Sequence, residues 1–246
     1  MDLPERLATL RAFAADGSAF PSAQLAVLAV ELDLPLADLY AAAGREVPVE
    51  LLPPERDDRT LGDFARWVTY CDHGQLAAIE AHVRALPPVP DVPRQAVPLP
   101  FSPWFGEAEL APAEHGFAAT LLGMIRNRGF SLYSIPFMGL SRSTILDMVR
   151  TWDSDGRRQY QLLGLTGPLG WPLPELFALA GQPWSPEFRP HSPCRHTGRV
   201  YTAATHLTTG QLAAATGELT RINRDLPRGV WQPNPEDRTT ECPDFS

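Results

Sequence analysis

The chain has 246 residues, 44% of them hydrophobic, with 18 glycines, 26 prolines and a formal net charge of −8. This length and composition can bury a core in one or two domains, and the negative balance opposes non-specific nucleic-acid binding, which depends on neutralising phosphates. No apolar run approaches the ~20 residues of a membrane span, and the N-terminal residues lack the basic-then-apolar pattern of a signal peptide. Three widely spaced cysteines, Cys71, Cys194 and Cys242, argue against a disulfide framework, so a reducing, cytoplasmic location is expected.

Residues 1–86 read as a truncated helical module. In AQLAVLAVELDL, Leu25, Leu28, Ala29 and Leu32 follow the i, i+3, i+4, i+7 spacing of one buried helix face. The next stretch, PLADLYAAAG at 35–44, returns at 172–181 as PLPELFALAG, with six of ten residues identical. At the same offset Gln24, Leu25, Leu28 and Leu32 fall on Gln161, Leu162, Leu165 and Leu169, and Glu50 and Pro53 fall on Glu187 and Pro190. One residue less in offset, Gly74–Ala78 falls on Gly210–Ala214. Matched blocks in constant order indicate an internal duplication. Pro35 and Pro172 suit the first turn of their helices, and Gly44 and Gly181 suit left-handed closing positions.

Residues 87–113 form a proline-rich linker or strap that excludes regular helix. Its Phe101, Trp104 and Phe105 are expected to pack the strap onto a domain. The module at 114–183 has a local balance of 5 acidic and 6 basic residues, against 14 acidic and 7 basic in residues 1–87. It parses into helices at about 114–128, 131–138, 141–152, 159–169 and 173–180, with Gly129 and Gly139 at turns and Ser131 and Ser141 as N-caps. A C-terminal extension, 184–246, matches the end of the first module and finishes in a polar, proline-containing tail. Its best strand signal, RVYTAATHL at 199–207, is also compatible with helix. The expected fold class is mainly α: two related helical modules, the second a five-helix domain.

The blocks IRNRGFSL (125–132), GLSRSTI (139–145) and PLPELFALAG (172–181) resemble the XRE-type, lambda-repressor-like helix-turn-helix family, in particular its actinobacterial branch. The resemblance covers about 70 residues and implies a DNA-binding transcriptional regulator. It makes the third helix of this module the recognition helix in the major groove. Ile145, Met148 and Val149 would be its buried face, with Arg142, Ser143, Leu146 and Arg150 outward. Arg142 would fork onto a guanine, and Arg126, Arg128, Ser131 and Ser141 would hold phosphates.

The sequence departs from that family in several places. The second helix, SLYSIPFMG, is one residue short and contains Pro136; Asp147 lies on the outward face; and the first module lacks the first two helices, with MDLPERLATLRAFAADG supplying at most a remnant of the third. These departures support an alternative: a repurposed scaffold that no longer binds DNA and instead binds or transforms a small molecule, with Tyr133, Trp152, Tyr160 and Trp171 lining a pocket. The partner is then double-stranded DNA or a small-molecule ligand; a homodimer fits either reading, and pairing with intact homologues is a third role. His191, Cys194 and His196 have zinc-like residue types, but a fourth donor from Cys71, His73, His206 or Cys242 is not at motif spacing. No metal and no cofactor are therefore expected. No Gly-rich, nucleophile-elbow or zinc-protease motif is present in the sequence, and neither Cys194–His196 nor Cys71–His73 has an orienting acid at readable spacing.

Overall fold

The computed structural model describes residues 2–95, 116–131, 134–151, 158–188 and 195–224. Among these residues the structure is helical, without strands; a single antiparallel bridge joins Pro54 and Arg94. The helices in chain order are α1 (Leu3–Ala15), α2 (Ser22–Leu32), α3 (Leu36–Ala42), α4 (Asp58–Thr69), α5 (His73–Ala85), α6 (Phe117–Asn127), α7 (Arg142–Thr151), α8 (Arg158–Leu169), α9 (Leu173–Leu179), α10 (His196–Ala203) and α11 (Thr209–Arg224).

The repeated sequence blocks fall on elements of the same kind. α2 and α3 correspond to α8 and α9, and α4 and α5 correspond to α10 and α11. The repeated residues are those that end and begin helices. Gly44 and Gly181 close α3 and α9 at φ +62° and +65°. In each, a backbone N–H one residue further on reaches back to the last turn, Arg45 to Tyr40 and Gln182 to Phe177. The repeated glutamine explains the Gly-Gln-Leu-Ala-Ala block. Asp72 and Gln75 form a reciprocal capping box on α5, and Thr208 and Gln211 repeat those bonds at the start of α11.

The halves are interleaved rather than side by side. α1 packs on α9 while α3 packs on α6, and α4 packs on α11 while α5 packs on α10. Each half therefore covers its apolar faces with helices of the other. Buried side chains from Leu7 to Leu219 form one continuous core, with Phe13, Phe64, Phe130, Trp171, Phe177 and Tyr201 as its largest fully buried members. The core draws on residues from 1–86, 114–183 and the C-terminal extension alike. α10 and α11 belong to the same body as α4 and α5.

Two further expectations are revised and one open alternative is decided. The N-terminal segment is a complete helix of 13 residues, capped by Asp2, and not a remnant. The second helix of the 114–183 module is a short 3-10 turn, Ile135–Met138. Pro136 occupies its first turn, where a missing N–H breaks no helical bond, so the interior-proline penalty does not apply. The segment 199–207 is helix: Thr205 back-bonds to the Tyr201 carbonyl, a helical i−4 contact.

Candidate functional site

The residues expected to contact DNA divide sharply. Arg128, just after α6, is 2% exposed and forks onto fully buried Asp38 of α3, with Nη1 3.0 Å from Oδ1 and Nη2 2.8 Å from Oδ2. The same two nitrogens donate to the Met124 and Leu169 carbonyls at 2.6 Å. Ser131 is also buried, and its hydroxyl donates to Asp58 at 2.9 Å. Both side chains make their bonds inside the protein. Arg126 is half-buried, and burial lowers the pKa of its guanidinium. Ser141 and Ser143 are exposed at the start of α7, with their hydroxyls 2.6 Å apart, and Asp147 is exposed on the same helix. Ile145 and Met148 form the buried face as expected. The side chains of Arg142, Val149 and Arg150 lie outside those described.

Of the four aromatic residues expected to line a pocket, only Trp171 has a described side chain. Tyr133 and Trp152 lie outside the described residues, as does the side chain of Tyr160. Trp171 is fully buried, and its indole N–H donates to Asp38 at 2.9 Å. Asn127 adds a fourth bond to the same carboxylate, at 3.1 Å. Trp171 is thus part of the link that holds α3, α6 and the α8–α9 turn together.

That link has a counterpart. Arg6 of α1 donates to the Leu32 carbonyl at 2.8 Å and pairs with Glu175 of α9 at 2.8 Å. Arg128 joins the equivalent carbonyl, Leu169, to the equivalent acid, Asp38. Each arginine caps the helix that precedes the closing helix of one half and grips the closing helix of the other. The Asp38/Glu175 pair inside the repeated decapeptide is conserved between halves because both acids take this job.

One cluster of titratable groups is not explained by helix closure. His73 is the first residue of α5 and is exposed; His196 is the first residue of α10 and is buried. Packing of α10 on α5 brings their Nδ1 atoms to 3.4 Å, with the rings edge to face at 5.0 Å. His196 Nε2 lies 2.5 Å from Oε2 of buried Glu80, two turns along α5 from His73. Arg84 and Arg199 approach the other Glu80 oxygen, at 2.7 Å and 3.4 Å. Burial pulls the His196 pKa down against the raising influence of Glu80. Burial pushes the Glu80 carboxyl up, but Arg84, Arg199 and His196 outweigh it and leave its pKa lowered. An ionised Glu80 fixes the proton of a neutral His196 on Nε2 and leaves its Nδ1 a lone pair directed to the His73 side. The array can accept a proton or donate to an electrophile at that nitrogen.

The sequence contains the ingredients, since Cys71-Asp72-His73 and Cys194-Arg195-His196 both stand out, but their meeting depends on the α5–α10 packing. Glu80 was missed: a single glutamate in a helical stretch carries no signal until its seven-residue spacing from His73 is combined with burial. Cys71 does not join the histidines; its thiol contacts the Trp67 carbonyl and Asn223, and burial pushes its pKa up to about 11. Among the described residues no group of three or more His, Cys, Asp and Glu is arranged to hold a metal ion, and no helix is long and apolar enough to cross a membrane. No protein-family model, curated protein or solved structure matches the chain.

Proposed function

We propose that the chain is a helix-turn-helix scaffold, duplicated and interleaved, that no longer reads DNA and instead binds or transforms a small molecule. The observation that carries this reading is the burial of Arg128. A phosphate-contacting arginine must reach the surface, whereas this one is locked between two carbonyls and a buried carboxylate. Burial of Ser131, the exposed Asp147, the 3-10 turn in place of a helix and the net charge of −8 point the same way. The Glu80–His196–His73 array supports the second half of the proposal, because a buried carboxylate–imidazole pair held against an exposed histidine is the usual material of a reactive site.

The test is a mobility shift with random-sequence duplex at low salt. The proposal expects no retarded species; a salt-sensitive shift abolished by Arg142→Ala would refute it. That second outcome belongs to the alternative, a helix-turn-helix regulator, which is favoured by one observation: Ser141 and Ser143 are exposed at the N-terminus of α7, where a recognition helix meets DNA.

A further inference from the structure

We propose that His73 and His196 form a binding site for a zinc-class divalent ion, with Glu80 as the carboxylate that orients His196. The site uses the same Glu80–His196–His73 array that supports the reading above, and its test reads zinc binding alone, so the two can fail separately. Three observations carry it.

The first is spacing. Two nitrogen donors at about 2.0–2.1 Å from one tetrahedral ion stand about 3.4 Å apart, and the two Nδ1 atoms are separated by 3.4 Å. An ion placed there replaces the proton between the rings without requiring the helices to move.

The second is the support behind the donor. A histidine that ligates a metal almost always gives its other ring N–H to a carboxylate or carbonyl, which fixes the tautomer and strengthens the donor. His196 Nε2 meets Glu80 Oε2 at 2.5 Å, while Arg84 and Arg199 are confined to Oε1. The carboxylate is held in place by the arginines, and its second oxygen is reserved for the imidazole.

The third is access. His73 is exposed while His196 and Glu80 are buried, so an ion enters from the His73 side and water can complete its coordination shell. Imidazole donors suit zinc, copper and nickel and disfavour magnesium and calcium. The sequence expectation of no metal concerned His191, Cys194 and His196 without a fourth donor; the site proposed here instead pairs His196 with His73, 123 residues away.

The experiment is calorimetric titration of the full chain with zinc chloride alone, in a chelator-free buffer near neutral pH, with thermal unfolding in parallel. The expected result is one zinc per chain and a zinc-dependent rise in Tm. His73→Ala removes an exposed side chain, so it should unfold like the wild type without zinc and lose the zinc-dependent rise. Glu80→Gln should weaken binding by about 10–100-fold, the usual effect of losing such a supporting partner. No zinc uptake by the wild type, or unchanged uptake by His73→Ala, would overturn the site.

Discussion

Asp38 has no contact with water and four donors around it: two from Arg128, one from Asn127 and one from Trp171. A carboxylate can be buried at tolerable cost only when its lone pairs are filled in this way. Removing it strands a buried guanidinium, so Asp38→Ala should lose about 3–5 kcal/mol of unfolding free energy, measured by urea denaturation. Glu175→Ala should lose less, because its partner Arg6 is 23% exposed and can turn to water. Asp57 gives a smaller, pH-dependent case. Its side chain caps α4 through the N–H groups of Arg59 and Thr60 and accepts from the Thr60 hydroxyl, which lowers its pKa. Asp57→Ala should cost about 1 kcal/mol at neutral pH. A depressed folded pKa stabilises only where the carboxylate is ionised. The gap between Asp57→Ala and wild type should therefore narrow as pH falls below the ordinary aspartate value of about 3.9 and through the lower folded value.

At the scale of elements, the question is which parts of the helical grammar were readable. α7, α8 and α9 fall within about two residues of their expected bounds, because glycines at 129, 139 and 181 take positive φ where helices stop or turn. The 3-10 turn at 135–138 was not readable as such. Its sequence is apolar enough for a helix, and its shortness follows from tertiary constraint: Phe137 packs against the backbone of Gly62, and Thr69 bonds the Phe137 carbonyl. Pro136→Ala separates the two descriptions. It should change stability by less than about 1 kcal/mol if Pro136 sits in a first turn, and a gain near 3 kcal/mol would restore the interior-helix reading. The α3–α6 crossing gives a second check. A Cβ on Gly123 would stand 2.5 Å from the Ala41 Cβ, so Gly123→Ala should push these helices apart and lose about 1–3 kcal/mol in thermal or urea unfolding.

For the whole molecule, the repeated blocks were legible and the packing around them was not. Matching PLADLYAAAG to PLPELFALAG identifies equivalent helices, but nothing local says that each will pack on helices of the other half. That follows from long-range burial: Leu7 and Leu10 of α1 and the apolar face of α9 each need a cover that their own half does not supply. The candidate site was hidden for the same reason, since His73 and His196 meet only through the α5–α10 pairing. One shared core predicts one cooperative transition: calorimetric and van't Hoff enthalpies should agree, and two separable transitions would contradict the interleaved arrangement.

The central claim is that two residues a DNA reader would need, Arg128 and Ser131, are bonded inside the body of the protein. Arg128→Ala, measured for both unfolding free energy and duplex-DNA affinity at low salt, tests it most directly. Burial predicts a loss of about 3–5 kcal/mol of stability and no DNA binding by either protein. Wild-type stability in the variant, together with wild-type DNA binding that the substitution weakens, would contradict it.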